Sequence, residues 1–181
     1  MKTYIALLRG INVSGQKKIR MAELKSHIEK LGLLYVRTYI QSGNLVFHSE
    51  KSDPRDIEVL IEKNILVNYG FNVSVIVKQP QELQVVLENN PYATDSQKDT
   101  NRTYFTFLSK EPMLPDVEKI KTQDYFPEEF RLIGKTIYFY SPNGYGNAKM
   151  NNNFFAKKLK VNATTRNYKT MNKLLEMAQN I

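Results

Sequence analysis

Apolar positions in the first half of the chain change their spacing several times, and each spacing predicts one element. Strand-like runs alternate with stretches whose apolar residues recur every three or four positions, as on one face of a helix. The predicted strands are Tyr4–Leu8, Tyr35–Gln41, Asn44–His48 and Phe71–Val77, and the predicted helices run from Met21 to Gly32 and from Ser52-Asp53-Pro54 to Gly70. Ser42-Gly43 predicts a two-residue hairpin turn. The order is βαββαβ, the ferredoxin-like arrangement.

The second half repeats this order after a connecting helix over Pro80–Leu87. It contains four strand-like runs, a helix around Val117–Lys121, a helix that includes Phe154, Phe155 and Leu159, and a last helix over residues 168–178. The strands are Thr103–Leu108, Phe130–Ile133, Thr136–Tyr140 and Val161–Thr165, with Gly134-Lys135 as a hairpin turn. We therefore predict an α+β fold of two ferredoxin-like halves, 1–78 and 79–181, with an added C-terminal helix.

Composition agrees with this architecture and narrows the class of protein. The 181 residues are 41% hydrophobic and 24% charged, which is ordinary for a globular protein of one domain or two small ones. No apolar stretch is long enough to predict a membrane span, and the N-terminal residues do not form a leader pattern. The sequence has no cysteine, which is compatible with a reducing compartment, so we expect a cytoplasmic protein.

Positive charge is concentrated in the last third of the chain. The formal net charge is +8, and Glu176 is the only acidic residue after position 130, among nine basic ones. A polyanionic or phosphorylated partner is one interpretation. A solvated basic surface facing an acidic one is the other, and both remain open.

The loop Arg9–Lys18 is the first candidate for chemistry. It follows a predicted strand, precedes a predicted helix and carries two glycines, two amides and three cations, a composition suited to hold an anion. We expect Arg9, Asn12 and Lys17 to contact that anion. The loop is not a P-loop, because Gln16-Lys17 stands where Gly-Lys-Ser/Thr is required.

Other polar segments are candidates to complete such a site. In the first hairpin, Gln41, Ser42 and Asn44 offer donors and acceptors to a ligand, although ordinary turn chemistry explains the same residues. In the second half the candidates are Tyr145, Lys149, Arg166 and Asn167. Arg166 either contacts an anion or packs against an acidic neighbour, and Thr165 or Asn167 is expected to cap the last helix.

Five strings in fixed order resemble a known family. They are Leu7-Leu8-Arg9-Gly10-Ile11-Asn12-Val13, Thr38-Tyr39-Ile40-Gln41-Ser42-Gly43-Asn44, Asn90-Pro91-Tyr92, Gly144-Tyr145-Gly146 and Thr164-Thr165-Arg166-Asn167. Together they resemble the bacterial domain-of-unknown-function family DUF1697 over nearly the whole chain. The resemblance implies two related ferredoxin-like halves and supplies no activity. Ser14 stands where the family commonly has glycine, and Asn147-Ala148 where a basic residue and a hydroxyl are usual.

The residue types present bear on whether the chain is an enzyme. Neither histidine, His27 or His48, lies in a catalytic or metal-binding pattern, no nucleophile elbow is present, and no motif calls for a cofactor or a metal. Arg9, Lys17, Tyr145 and Arg166 would suit electrostatic stabilisation of a phosphorylated substrate, but the sequence offers no general base, so the question of catalysis stays open.

Our leading hypothesis is binding of a small anionic or nucleotide-like ligand by loops that converge, with Lys149, Arg166 and Asn167 closing the site from the second half. The first alternative is an RNA- or DNA-binding module. It would use the basic C-terminal third and the aromatic residues of the second predicted sheet, with Tyr138 and Tyr140 on one strand face and Tyr104 beside them. The second alternative is a protein-interaction module without catalysis.

Overall fold

The order of the strands identifies the architecture. The computed structural model describes residues 1–13 and 15–181, so the departure from the family pattern at Ser14 lies outside the described residues. The chain divides into two compact units, one of Met1–Val85 with Asn172–Ile181 and the other of Val86–Met171. Each unit contains one four-stranded sheet whose paired strands are all antiparallel.

The first unit has the ferredoxin-like strand order β2-β3-β1-β4. Its elements, in chain order, are β1 (Lys2–Leu8), α1 (Met21–Glu29), β2 (Leu34–Tyr39), β3 (Asn44–Ser49), α2 (Pro54–Tyr69) and β4 (Val75–Lys78). Helix α3 (Pro80–Glu88) follows. The two helices of the βαββαβ motif cover one face of the sheet, because alternate strand residues pack against helix residues in one core. That core includes Tyr4, Ala6, Leu8 and Phe47 from the strands and Leu24, Ile28, Ile57, Ile61 and Ile65 from the helices.

The ends of α2 follow from local chemistry. Asp53 caps the helix, because its carboxylate accepts a hydrogen bond from the Arg55 backbone N–H at 2.8 Å, and Pro54 occupies the first turn. Gly70 ends the helix in the left-handed conformation with φ of 77°. The predicted start and end of this helix are confirmed.

The first hairpin differs from its prediction. Tyr39 pairs directly with Asn44, so the connection is Ile40–Gly43 rather than the two residues Ser42-Gly43. The longer loop contains two left-handed residues, Ile40 with φ of 50° and Gly43 with φ of 80°. The predicted turn Gly134-Lys135 of the other unit is confirmed, because Ile133 pairs with Thr136.

The second unit has the same motif, with strand order β6-β7-β5-β8. Its elements are β5 (Thr103–Leu108), α4 (Leu114–Lys121), β6 (Glu129–Ile133), β7 (Thr136–Tyr140), α5 (Asn152–Leu159) and β8 (Ala163–Asn167). Helix α6 (Tyr168–Gln179) follows, and its residues from Asn172 onward belong to the first unit. The predicted α+β fold of two ferredoxin-like halves with a C-terminal helix is confirmed.

The register of the second sheet places its tyrosines on two faces. Directly paired residues of antiparallel strands share a face, and Tyr104 pairs with Phe139 whereas Tyr138 pairs with Phe105. Tyr104 therefore lies on the opposite face from Tyr138, and the prediction that they are neighbours is wrong. Tyr138 and Tyr140 are only 2% and 8% exposed, so neither ring is presented to solvent for base stacking.

Within residues 1–13 and 15–181, the helices are too short or too polar for any of them to cross a membrane.

Candidate functional site

The connection between β1 and α1, residues 9–20, is held in place by one amide side chain. Asn12 Nδ2 donates to the carbonyl oxygens of Ile19 at 2.9 Å and Gln41 at 2.8 Å, and Asn12 Oδ1 accepts from the Ile19 backbone N–H at 2.8 Å. Asn12 also has φ of 55°, a left-handed conformation that asparagine tolerates better than most residues. The amide N–H groups of Asn12 thus bond within the loop, to Ile19, and to the hairpin, at Gln41, rather than being offered to an anion.

The tip of the first hairpin packs closely on this loop. The Leu8 backbone N–H donates to the Gly43 carbonyl at 2.8 Å. A Cβ atom at Gly43 would lie 2.7 Å from Leu8 Cβ and 2.9 Å from Ile11 side-chain atoms, so only glycine fits there. Asn44 is fully buried, and its amide donates to the Tyr39 carbonyl and to Ser42 Oγ. Turn chemistry therefore engages Ser42 and Asn44, two of the predicted ligand contacts.

An open cavity of about 710 Å³ lies where the loop, the hairpin and two helix ends come together. Its lining comes from the loop, the first turn of α1, the hairpin tip and the last residue of α2. The lining residues are Asn12, Lys18, Ile19, Arg20, Met21, Ala22, Glu23, Gln41 and Tyr69. A site of this size is in the range that holds small organic ligands.

Positive potential at this cavity has two sources. The first source is the pair of cations Lys18 and Arg20, which both line the cavity. The second is the start of α1, which follows Arg20 directly. Within the described chain, the N-cap residue Arg20 supplies no side-chain acceptor to the first backbone N–H groups of α1. Uncapped N–H groups and the helix dipole together favour an anion at that position.

Glu23 opposes this potential in part. Its carboxylate lies 3.4 Å from Arg20 Nη1, and both side chains are well exposed to solvent. Burial, reinforced by the negative charge of Glu23, raises the pKa of the Tyr69 phenol. An anion that binds here competes with Glu23 for Arg20, an exchange made easy by the solvent exposure of that pair.

The other cations predicted in this loop have different positions. Lys17 Nζ donates to the Asn72 carbonyl oxygen at 2.6 Å, and Lys17 has a left-handed φ of 45°. Arg9 is half-buried, and its backbone N–H donates to the Ser74 carbonyl. Of the ten predicted site residues, those that line the cavity are Asn12 and Gln41.

The four remaining candidates lie in the second unit, where Asn167 and Lys149 both form local hydrogen bonds. Asn167 Oδ1 accepts from the Thr170 backbone N–H at 2.8 Å and so caps α6, as one of the two predicted caps. The Lys149 side chain is exposed, while its backbone N–H donates to Glu128 at 2.8 Å. A single site shared with the first unit stays a prediction.

Tyr145 and Arg166 belong to a more buried polar group. The Tyr145 hydroxyl accepts from the Asn152 backbone N–H, the first of α5, at 2.8 Å, and burial raises its pKa. Arg166 is 7% exposed and donates to Thr164 Oγ1 at 2.9 Å and to the Thr165 carbonyl at 2.8 Å. Burial lowers the pKa of Arg166 to about 10, which still leaves the guanidinium protonated at neutral pH.

Sequence reasoning did not select Arg20, Glu23 or Tyr69. The cluster of cations immediately before a predicted helix start was a usable signal for Arg20 and Lys18. Tyr69 precedes the glycine that ends α2, and only tertiary packing brings it to the β1–α1 loop. In the part of the chain that the structure describes, acidic and histidine side chains do not gather in threes that would hold a metal ion.

Comparisons with known proteins extend over most of the chain. A family model described as a protein of unknown function (DUF1697) matches residues 1–138. A search of curated proteins found no match. Among solved structures, the chain is similar to one described as the structure of conserved bacterial protein SP0830 from Streptococcus pneumoniae. The two share 28% sequence identity and a TM-score of 0.74 over 97% of this chain and 98% of that one.

Proposed function

We propose that this chain, which belongs to the DUF1697 family of proteins of unknown function, binds a small anionic ligand in the cavity at the start of α1. The observation that carries the proposal is the cavity itself. About 710 Å³ of open space is lined by two cations and by an α1 N-terminus that has no side-chain cap in the described chain. Phosphate and carboxylate groups are the ligands that such a combination favours.

The surrounding contacts support a preformed site. Asn12 fixes the loop to both the hairpin and the residue before Arg20, through three hydrogen bonds of 2.8 to 2.9 Å. Gly43 packs on Leu8 and Ile11 without space for a side chain. Because the loop is held at both of these points, Lys18 and Arg20 are presented from an ordered backbone, which lowers the entropic cost of binding.

The side chains predicted to bind the anion are assigned differently in this proposal. Lys18 and Arg20 replace Arg9 and Lys17 as the cations, and Asn12 is a positioning residue. Gln41 remains a ligand contact, because it lines the cavity and its amide oxygen lies 3.5 Å from Asn12 Nδ2. The proposal concerns binding, and it assigns no catalytic residue.

Titration with inorganic phosphate at low ionic strength tests this assignment. In two-dimensional amide NMR spectra, we expect the largest shifts at the backbone N–H groups of Ala22 and Glu23. Replacing Lys18 and Arg20 by glutamine should weaken binding by about tenfold, since each exposed charge contributes up to roughly 1 kcal/mol.

Lys63→Gln is the matched control, because Lys63 is an exposed lysine of α2 that does not line the cavity. It should leave phosphate affinity within about twofold of the parent protein. Equal losses in the control and in the double variant, or shifts centred elsewhere, would contradict the proposal. Salt-sensitive binding of single-stranded RNA without any phosphate site at α1 would favour the nucleic-acid alternative.

A further inference from the structure

The segment between α3 and β5 contacts the second sheet through an aromatic side chain. Residues 90–98, called the strap below, contain the string Asn90-Pro91-Tyr92, to which the proposed anion site assigns no role. The Tyr92 side chain is buried, and its ring contacts the Tyr140 ring of β7 with the two centroids 5.6 Å apart. The family string is thus the point at which the strap meets the sheet.

One lysine of the strap reaches two strands of this sheet. Lys98 Nζ donates to Glu129 Oε1 of β6 at 2.6 Å, and it lies 5.1 Å from the centroid of the Tyr92 ring and 5.2 Å from that of Tyr140. The Asp95 carboxylate is 3.5 Å from the same nitrogen. Because the Lys98 side chain is only 15% exposed, these contacts stabilise the strap more than an ion pair in open solvent would.

The ammonium group of Lys98 remains charged in this position. Burial by itself lowers the pKa of Lys98, but the hydrogen bond to Glu129 and the charges of Glu129 and Asp95 outweigh it and raise the pKa overall. A charged ammonium keeps both its attraction to the carboxylates and its cation–π contact with the two rings.

Two buried polar atoms oppose the position of the strap. Asn90 Nδ2 and Thr103 Oγ1 are both buried and, among the residues that the structure describes, neither has a hydrogen-bond partner. Thr103 pairs directly with Tyr140, so its side chain lies on the sheet face that Tyr92 contacts. A buried polar atom without a partner destabilises the conformation that buries it, since water would bond to it after opening. The strap therefore depends on the contacts of Lys98.

We propose that the strap is a cover that opens while the rest of the second unit stays folded, and that Lys98 is the latch that holds it closed. Opening withdraws Lys98 and Tyr92, and so uncovers the Tyr140 ring and the Glu129 carboxylate that held the ammonium group. Segments whose closed conformation is only slightly favoured open in this way, well below the free energy of global unfolding. The inference concerns the second unit and does not depend on the proposed anion site.

Amide hydrogen exchange of the full chain measures the opening. The backbone N–H groups of Tyr92, Ala93 and Lys98 donate hydrogen bonds within the closed strap, to Asn90 Oδ1, to the Asn90 carbonyl and to the Asp95 carbonyl. We expect these three amides to exchange about 100-fold or more faster than the amides of β5 and β7. Low concentrations of denaturant should accelerate them less than they accelerate the two strands.

Lys98→Met removes the charge and keeps an unbranched side chain that packs well on aromatic rings. It should speed exchange at the three strap amides by about tenfold and leave the amides of β5 and β7 within about twofold. Lys121→Met is the matched control, because Lys121 forms an exposed ion pair of α4 with Glu118 at 2.9 Å. It should change exchange in the strap by less than about twofold.

Glu129→Gln tests whether Lys98 holds the strap through this carboxylate. Alone, it should speed exchange in the strap by roughly 3- to 5-fold. In the Lys98→Met background it should add less than about twofold, because the interaction that it weakens is already lost. Chymotrypsin gives a second readout, since cleavage after Tyr92 should be faster in Lys98→Met than in the parent protein or in Lys121→Met.

The contrary outcomes are specific. Strap amides that exchange as slowly as those of β5 and β7 would show that the strap opens only when the whole unit unfolds, which overturns the proposal. A rise in exchange that Lys98→Met spreads equally over strap and strands overturns it in the same way. Equal effects of Lys98→Met and Lys121→Met, or of Glu129→Gln in the two backgrounds, would overturn the role of Lys98 as the latch.

Discussion

In each unit a helix begins after the first strand, but the residues that surround the two helix starts differ. In the second unit the β5–α4 connection is short, residues 109–113, and the first-turn acid Asp116 is almost buried. Lys160 Nζ contacts both carboxylate oxygens of Asp116 at 3.0 Å, and Lys119 lies 3.6 Å away. The first-turn acid of this helix is thus paired with the protein's own lysines.

In the first unit the β1–α1 connection is longer, residues 9–20, and the corresponding helix start borders an open cavity. Its first-turn acid, Glu23, is half exposed and pairs only loosely with the exposed Arg20. The same βαββαβ order therefore does not determine whether the helix start is open. The longer loop of the first unit places Lys18 and Arg20 beside the helix start and leaves a cavity in front of it.

Replacing the glycine of the first hairpin by alanine gives the largest expected loss in the free energy of unfolding. Leu8 N–H donates to the Gly43 carbonyl in the first unit, and Leu108 N–H donates to the Lys135 carbonyl in the second. Gly43→Ala should cost roughly 2–4 kcal/mol, because it adds a clash with Leu8 and Ile11 to left-handed strain.

Gly134→Ala is the matched variant, with a left-handed φ of 56° and open space around the added methyl group. It should cost about 1–2 kcal/mol, from strain alone. Chemical denaturation of both variants measures the difference. Equal losses would show that packing of the hairpin tip on the β1–α1 loop does not stabilise the first unit.

Loss of the Asn12 amide has the next largest expected effect on the free energy of unfolding. Asn12→Gly keeps the left-handed backbone accessible but removes three hydrogen bonds, so we expect a loss of about 1–2 kcal/mol. Amide hydrogen exchange should rise over residues 9–20 and remain unchanged at residues 109–113. Amide hydrogen exchange that stays slow in the first loop would mean that the Asn12 side chain does not hold this loop in place.

Charge at the open helix start should tune the affinity for phosphate in the opposite direction to the cation variants. Glu23→Gln removes the carboxylate that competes for Arg20, so phosphate should bind about 2- to 5-fold more tightly. Asp116→Asn makes the same chemical change in the second unit, where we expect no new phosphate site. A gain in phosphate binding from Asp116→Asn alone would break the distinction between the two loops.

The smallest expected effect is the pH dependence of the ion pairs that Asp116 of α4 forms with Lys160 and Lys119. The hydrogen bond from Lys160, together with the charges of Lys160 and Lys119, lowers the pKa of Asp116 in the folded protein. A lowered pKa means that the ionised carboxylate stabilises the fold above its unfolded pKa, and that this contribution is lost as pH falls through the folded value. Both lysines are largely exposed, so the contribution is small.

Comparing acid unfolding of the parent protein with that of Asp116→Asn isolates this contribution. The variant should lose less stability than the parent as the pH falls below about 4. Identical acid profiles for the parent and Asp116→Asn would contradict the role assigned to the Lys160 pair.

The fold could be predicted from the sequence wherever a single local signal determines the structure. The strand Thr103–Leu108, the start of α2 at Ser52-Asp53-Pro54 and its end at Gly70 are confirmed as predicted. The first hairpin was not, because a left-handed Ile40 is a conformation that its side chain disfavours and that only the surrounding packing imposes. Strand β8 begins two residues later than predicted, after Lys160 ends α5 in a left-handed conformation.

The candidate site was less accessible. Asn12 and Gln41 were selected, and both line the cavity, but the structure uses the Asn12 amide to hold the loop. Composition of the loop indicated an anion site without showing which of its cations reach it. Tyr69 had no local signal, because its position at the cavity depends on how α2 packs on the sheet.

The return of residues 172–181 to the first unit has a consequence for synthesis on the ribosome. All four strands of the first sheet are made before residue 79, yet the unit includes the end of α6, where Arg37 Nη1 donates to the Asn180 carbonyl at 3.1 Å. This contact with β2 forms only when the last residues emerge. The first unit is therefore begun before the second unit and completed after it, because residues 86–171 are translated in the interval.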